Sequence, residues 1–186
     1  ERVMASLERF LKKRLRLKVN RGKSAVDRPW KRKFLGYGTT AGKKPRLKPD
    51  KKSVKRLKSK LKTLFRRGRG KSLARTVEEL NPVLRGWVNY YRLADVKGVF
   101  EELDQWVRRR LRLILWRQWK RPRTRFKRLR QRGLDYDRAK RSAYNGHGPW
   151  WNSGASHMNQ AVPTSAFAKM GLVSLVQQHR RLACNS

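Results

Sequence analysis

Apolar side chains recur at helical spacing in three long stretches near the middle of the chain. The first covers about residues 51 to 66 and follows Asp50, a residue type that caps helices; the second starts after Ser72, and the third spans about 98–119. Short connections between such amphipathic helices predict an antiparallel three-helix bundle. The positions expected to face its core are Val54, Leu57, Leu61, Leu64, Phe65, Leu73, Val77, Leu80, Leu84, Trp87, Val88, Tyr91, Val99, Leu103, Trp106, Val107, Leu111, Ile114 and Leu115.

Pro82 lies inside the second stretch and leaves its structure open. A proline within a helix removes a backbone donor and bends the helix. A proline is also favoured at the first position of a helix, and Asn81 would then cap a new one. We therefore expect either one kinked helix or two helices that meet at this point.

The pattern before residue 38 is mixed. Residues 1–13 have a helical period, and the alternation of apolar and basic residues over 15–19 predicts a half-buried strand. Further short strands are predicted at 24–26 and 33–37. Together they predict a small α+β unit that has too little surface to fold alone.

Glycine and proline are frequent between residues 38 and 49, and that composition is typical of a linker. After residue 120 the apolar period weakens and basic residues dominate, which predicts a basic, partly helical extension. The fold class is therefore mainly α. The predicted segments are 1–37, 38–49, 50–120 and 121–186.

The charge of the chain narrows the class of partner. Fifty-one Lys and Arg face 12 Asp and Glu, for a formal net charge of +39. Such a chain needs an anionic partner, and nucleic acid is favoured over a membrane because no apolar run approaches the roughly 20 residues of a span. The single cysteine, Cys184, and the lack of a signal peptide indicate a cytosolic protein. Because Glu1 falls inside an apparent helix, we expect a piece of a longer protein.

Groups for catalysis or metal binding do not form a recognisable pattern. Asp135 and Asp137 are two residues apart and could hold metal ions, but relief of charge in a basic stretch explains them better. Residues 68–72 end like a phosphate-binding loop, yet no hydrophobic strand precedes them. The spacing of the histidines and the cysteine matches no zinc site. These four residues are His147, His157, His179 and Cys184.

Basic residues crowd the outer faces of the first and third helices almost without glutamate, and this favours contact with phosphates over a mixed solvated surface. The candidate nucleic-acid-binding residues are Lys23, Lys51, Lys52, Lys55, Arg56, Arg66, Arg67, Arg69, Lys71, Arg108, Arg109, Arg112, Arg117, Lys120, Arg123, Arg125, Trp150 and Trp151. Lys58, Lys60, Lys62 and Arg110 lie on the same faces. For Trp116 and Trp119 two interpretations are open: each packs in the core, or each stacks on bases.

One ordered set of residues in the second and third helices carries a family resemblance. The set consists of Asn81, Pro82, Gly86, Trp87, Asn89, Tyr90, Tyr91, Arg92, Leu103, Asp104 and Trp106. It closely resembles the maturase-specific domain of group II intron reverse transcriptases. Residues 20–24 and 33–37 resemble the last motifs of the reverse-transcriptase palm, and residues 150–153 resemble the tail of the bacterial class that lacks an endonuclease domain.

The resemblance implies a role for each segment. Residues 1–37 would be the end of the palm. Residues 50–120 would form the thumb and maturase domain, which contacts an RNA/DNA template–primer duplex and clasps group II intron RNA for splicing. In the family two Mg²⁺ ions are held by palm aspartates, including a Tyr-Ala-Asp-Asp motif. None of these occurs here, so we expect no cofactor in this chain and no polymerase activity from it alone.

Two hypotheses remain open. The chain is either the RNA-binding and maturase part of an intron-encoded reverse transcriptase or a non-enzymatic splicing cofactor, and an in-frame palm upstream would favour the first. A ribosomal-type basic protein would not require the aromatic motif. We expect a bacterial cytoplasmic location, with the nucleoid or a ribonucleoprotein.

Overall fold

The chain is mainly helical, as predicted. A computed structural model describes residues 2–20, 22, 24–67 and 70–184. Helices account for 66% of the structure, and one small antiparallel sheet of two strands accompanies them. The elements within the described residues are α1 (Arg2–Leu15), a 3₁₀ turn (Pro29–Lys31), β1 (Tyr37–Thr39), β2 (Leu47–Pro49), α2 (Lys51–Arg67), α3 (Leu73–Tyr90), α4 (Gly98–Gln118), α5 (Pro122–Arg130), α6 (Tyr136–Ala143), α7 (Pro149–Gly154), α8 (Ser156–Ala161), α9 (Thr164–Lys169) and α10 (Leu175–Cys184).

Helices α2, α3 and α4 pack against one another at the positions predicted for the bundle. The predicted start signals are used: Asp50 Oδ1 accepts a hydrogen bond from the Lys52 amide at 3.0 Å, and Ser72 Oγ accepts one from the Arg75 amide at 3.2 Å. These bonds satisfy amides that have no partner inside a helix. The apolar faces then meet in a core whose most buried side chains include Leu61, Val77, Leu80, Leu84, Val88, Phe100, Leu103 and Leu111.

Pro82 does not divide α3. The helix continues from Leu73 to Tyr90 with the proline inside it, so the first of the two predicted alternatives is confirmed as far as continuity is concerned. The proline ring is exposed, while Leu80 and Leu84 on either side of it are fully buried. Burial of that apolar face stabilises the helix across the missing backbone donor.

The strands predicted at 15–19 and 24–26 are wrong. Helix α1 extends to Leu15, and the described residues of both segments form no strand. Their apolar side chains, including Leu17, Val19 and Val26, line an apolar groove against α1 instead. Leu15, Leu17 and Val26 are nonetheless more than half exposed, so the alternation does not correspond to a buried face.

Residues 38–49, predicted as a linker, contribute to a β-hairpin. Strands β1 and β2 pair antiparallel with Tyr37 opposite Pro49 and Thr39 opposite Leu47. The backbone of Leu47 exchanges hydrogen bonds with Asp95, whose Oδ2 accepts from the Leu47 amide at 2.9 Å. The hairpin is thus fixed to the connection between α3 and α4. The division of the chain into four segments stays a prediction.

Tyrosines of the motif attach the hairpin to α3. Tyr90 donates its hydroxyl to the Leu35 carbonyl at 2.8 Å, and Tyr37 donates to the Tyr90 carbonyl at 2.6 Å. Gly36 has a φ of +80°, and a side chain there would come within 2.5 Å of the Tyr91 hydroxyl. Only glycine fits both the left-handed backbone and this close approach.

The segment after residue 120 packs on the bundle as helices α5 to α10. One continuous hydrophobic core runs from α2 to α10 and includes Leu129, Met158, Phe167 and Leu175. Trp116 and Trp119 belong to it, with exposures of 1% and 5%, so core packing is the correct interpretation of these two residues.

Two residues of the motif hold the last helix. Asp104 accepts hydrogen bonds from the Ser174 hydroxyl at 2.8 Å and from the Leu175 amide at 2.9 Å, at the start of α10. Asn81 accepts from the Val173 amide at 3.0 Å and donates to the Gly171 carbonyl at 2.9 Å. The motif therefore connects α3 and α4 to a segment about 70 to 90 residues away.

Candidate nucleic-acid interface

The outer face of α2 is almost entirely cationic. Its basic residues are Lys51, Lys52, Lys55, Arg56, Lys58, Lys60, Lys62, Arg66 and Arg67. All of them except Lys58 are exposed, because Leu57, Leu61 and Phe65 occupy the opposite face and point into the core. Among the described residues, Lys58 is the one member of this set that forms an ion pair, with Glu102 at 2.6 Å.

Like charges four residues apart on a helix repel one another. Lys51 and Lys55, and likewise Lys62 and Arg66, have this spacing on α2. An anionic polymer laid along the helix relieves the repulsion and releases its own counterions. The outer face of α2 is therefore the strongest candidate for phosphate contact in the described structure.

A groove of about 630 Å³ lies between α2 and α3. Arg56 and Lys60 line it from α2, and Gly86, Trp87 and Tyr90 line it from α3. Tyr90 is 55% exposed, and Trp87 is partly buried against Tyr91 and Phe100. Cations beside accessible aromatic rings can bind a phosphate and stack an unpaired base at the same time. We refer to this feature as the α2–α3 groove.

Gly86 has no packing reason for being a glycine. A Cβ built at this position meets no atom within 4 Å. Glycine inside a helix costs about 0.5–1 kcal/mol relative to alanine. Because Gly86 has no side chain, the α2–α3 groove is open at this position down to the backbone of α3, and a ligand backbone has room to approach it closely.

Arg112, a predicted nucleic-acid ligand, is buried with 7% exposure. Its Nε donates to the Val162 carbonyl at 2.9 Å, and its guanidinium lies over the Phe167 ring. Burial, followed by the charge of Arg108, lowers the pKa of Arg112 to about 10, so the group stays charged at neutral pH. Arg112 thus holds the C-terminal helices on α4 and contributes nothing to an exposed cationic face.

Two other predicted cations have acidic partners. Lys71 bonds to Glu79, and that ion pair, with the nearby cations, lowers the pKa of the glutamate. Arg108 lies 3.9 Å from Asp104 and is largely covered. Neither is as available to a phosphate as the exposed lysines of α2.

Arg109 and Arg125 are tied to backbone carbonyls. An Nη of Arg109 donates to the Trp150 carbonyl at 3.0 Å, and Nε of Arg125 donates to the Trp119 carbonyl at 2.9 Å. Each guanidinium also lies over an indole, at 4.0 Å from the Trp150 centroid and 4.7 Å from that of Trp116. Burial lowers the pKa of Arg125.

The remaining predicted ligands fall into three groups. Arg117, Lys120 and Arg123 are exposed where α4 ends and α5 begins. Lys23 and Arg69 lie outside the described residues. Trp150 and Trp151 are 41% and 50% exposed, but each already stacks inside the chain, Trp150 with Arg109 and Trp151 with the His147 ring at 3.9 Å.

The described residues give no indication of a membrane span or a metal centre. No helix among them is long and apolar enough to cross a bilayer. Nor do they bring together three or more His, Cys, Asp or Glu side chains that could hold an ion. Asp135, considered above as a metal ligand, caps α6 by accepting from the Arg138 amide at 2.8 Å.

The sequence pattern does not reveal the α2–α3 groove. It indicates that Lys60 lies on the outer face of its helix and that Gly86 belongs to the motif, but not that the two lie beside each other. The spacing of Arg56 and Lys60, four residues apart, shows that they share a side of α2. That this side meets the glycine of α3 depends on helix packing, which the sequence pattern does not specify.

The fold and this surface define a helical, strongly basic protein with a candidate nucleic-acid interface. Residues 54–133 match the model of the family described as the group II intron, maturase-specific domain. The match begins in α2, includes α3, α4 and the motif, and ends just after α5. It supports the maturase part of the resemblance and does not extend to the segment that resembles a palm. No curated protein matches the chain.

Proposed function

We propose that the chain binds group II intron RNA and assists its splicing, with the outer face of α2 and the α2–α3 groove as contact surfaces. The observation that carries this proposal is the maturase-domain match, because it falls on the helices that present unpaired cations. Folded RNA exposes backbone phosphates and unpaired bases, and the lysines of α2 and the aromatic rings of α3 suit these two features.

We propose further that the chain is the C-terminal part of an intron-encoded reverse transcriptase, in which α2–α4 also contact the template–primer duplex as a thumb. The resemblance of residues 1–37 to the end of a palm supports this role. The chain contains no Tyr-Ala-Asp-Asp motif, so DNA synthesis would need metal-holding aspartates from outside it. A bacterial cytoplasmic ribonucleoprotein is the location that fits this role.

Salt-dependent binding of the full chain to a structured intron RNA and to a plain RNA duplex tests the proposal. The decisive variant replaces Lys51, Lys55, Lys62 and Arg66 with Gln. Each lost phosphate contact lowers the slope of log affinity against log salt by about 0.7–0.9, so we expect a slope lower by about 3. A control variant neutralises four exposed cations elsewhere, at Lys127, Arg141, Arg180 and Arg181.

The two measurements separate two ways of failing. Equal slopes for the α2 variant and the control variant would show that α2 is not the phosphate face. Equal affinity of the unaltered chain for intron RNA and plain duplex would instead contradict the maturase role.

A further inference from the structure

Arg110 lacks a polar partner although it is partly buried. Its Nε atom is inaccessible to solvent and forms no hydrogen bond, and no ion pair or hydrogen bond of its guanidinium is found within the described residues. Burial, then the charges of Arg117 and Arg109, lowers the pKa of Arg110. A covered cation without a counter-charge is costly unless another molecule supplies one.

Two indoles fix the orientation of this guanidinium. It lies 5.2 Å from the Trp106 centroid and 4.7 Å from the Trp150 centroid. Trp106 is held from α2 by edge contact with Phe65 at 5.8 Å. Because Nε is covered, the two terminal Nη groups are the donors that can reach an anion, and such a planar pair can form two parallel bonds to it.

The neighbour Arg109 has a different role. It is bonded to the Trp150 carbonyl, and a Cβ on Gly154 would lie 2.7 Å from its guanidinium carbon, so the backbone of α7 presses directly on it. Arg109 therefore seats α7 and Trp150 on α4. The Nε of Arg109 also lacks a partner, but one of its Nη groups is bonded, whereas Arg110 forms no hydrogen bond among the described residues.

We propose that Arg110, oriented by Trp106 and Trp150, is a binding site for a single phosphodiester of RNA. The site lies between α4 and α7, apart from the α2–α3 groove. Lys58 lies 5.9 Å from the Trp106 centroid but is already paired with Glu102, so Arg110 is the cation that the site depends on. The inference rests on the proposed function, since the phosphate belongs to the RNA that the chain binds. It extends the interface from α2 to the C-terminal helices.

The test uses four variants of the chain, one of them Trp150→Phe, and two ligands. Arg110→Met keeps the length of the side chain but removes its charge, Arg110→Lys keeps the charge but removes the planar edge, and Arg141→Met removes an exposed charge on α6 as control. The ligands are structured intron RNA and a short oligouridylate. Binding is followed by tryptophan fluorescence across a salt series, and a thermal melt verifies that each variant is folded.

We expect Arg110→Met to weaken binding of both ligands about tenfold or more and to lower the salt slope by about 0.7–0.9. Arg110→Lys should retain the slope but still lose affinity, because a lysine cannot form the bidentate contact. In the Trp150→Phe variant, the change in tryptophan fluorescence at saturation with either ligand should be smaller than in the unaltered chain.

Arg110 is only a packing residue between two rings if Arg110→Met binds both ligands as Arg141→Met does, and that result overturns the site. A different result would reject only the splicing role. In that case Arg110→Met loses oligouridylate binding as expected, but the unaltered chain does not prefer intron RNA to plain duplex, and the phosphate site is retained. The two proposals therefore fail on different measurements.

Discussion

Asp104 stands in the resemblance motif but serves the fold rather than a ligand. Its carboxylate is 6% exposed and accepts hydrogen bonds from Ser174 and from the first amides of α10. A carboxylate at a helix start satisfies amides that have no intrahelical partner and opposes the positive end of the helix dipole. The residue thus links α4 to the end of the chain.

We expect Asp104→Ala to lower the free energy of unfolding by about 1–3 kcal/mol, since several polar groups at the start of α10 lose their acceptor. Urea unfolding of the full chain measures the change. The matched control is Glu78→Ala, an exposed acid on α3, which should change stability by less than about 0.5 kcal/mol. An equally small effect of both substitutions would mean that Asp104 does not hold α10.

Gly86 allows stability and binding to be separated. Alanine at this position meets no atom within 4 Å, so Gly86→Ala should stabilise α3 by about 0.5–1 kcal/mol. The same methyl group narrows the α2–α3 groove, and we expect weaker binding of intron RNA. Thermal melts and RNA titrations of one preparation measure both effects. A more stable variant with unchanged affinity would show that no ligand approaches α3 here.

For individual residues, the sequence indicates the type of side chain but not the group that it contacts. Arg112 and Lys55 look alike as basic residues of amphipathic helices, yet one is buried under Val162 and the other is exposed. The difference arises because helices far along the chain cover α4 and leave α2 open. Local periodicity contains no information on that cover.

Element boundaries in the bundle were largely predictable. Asp50 and Ser72 mark the starts of α2 and α3, and apolar residues three and four apart continue to their ends. These signals are local, so the sequence alone defines them. The hairpin of β1 and β2 was missed because its fixing contact, from Leu47 to Asp95, joins residues 48 positions apart.

Helix α8 contains a buried titratable group. His157 is 5% exposed, its Nε2 has no hydrogen-bond partner in the described structure, and its ring lies against Trp116 at 5.5 Å. Burial, and then the charge of Arg138, lowers the pKa of His157 below the usual 6.5. The fold therefore favours the neutral ring.

This pKa shift predicts how stability depends on pH. Below about pH 6.5 the unfolded chain binds a proton at His157 that the folded chain binds less readily, so this contribution to stability is complete above that pH and declines as the pH falls. We expect His157→Phe, which keeps an aromatic ring, to lose less stability than the unaltered chain between about pH 7.5 and 5.5. Urea unfolding at the two pH values measures the difference, and parallel losses would contradict the prediction.

The molecule as a whole is held together by one core that extends past the family match. Phe100 stacks on His179 of α10 at 4.4 Å, and Trp116 lies against His157 of α8. The chain after residue 133 thus covers aromatic rings of α4. A basic, partly helical extension was predicted from composition, but its place in the core was not, since its apolar residues are too sparse to form a regular period.

A chain shortened to residues 1–133 should lose its cooperative thermal transition. Removal of α6–α10 exposes Phe100 and Trp116, and it leaves the Asp104 carboxylate without its hydrogen-bond donors. Loss of a large buried aromatic contact costs about 3–5 kcal/mol, comparable to the total stability of a small domain. Circular dichroism during heating tests this expectation. A melt as sharp and as high as that of the full chain would show that the maturase-like segment folds independently.

The cationic outer face of α2 was predictable because glutamate is almost absent from it. The α2–α3 groove and the Arg110 site were not predictable, because they form only when the helices pack.

The cationic outer face of α2 by itself lowers the selectivity of RNA binding. Lysines on an open helix attract any phosphate chain, and in a growing cell ribosomal and transfer RNA far outnumber one transcript. Affinity from α2 alone would therefore leave the protein titrated away by these competitors. Choice of the correct transcript must come from the recessed parts of the surface, which a regular duplex cannot enter.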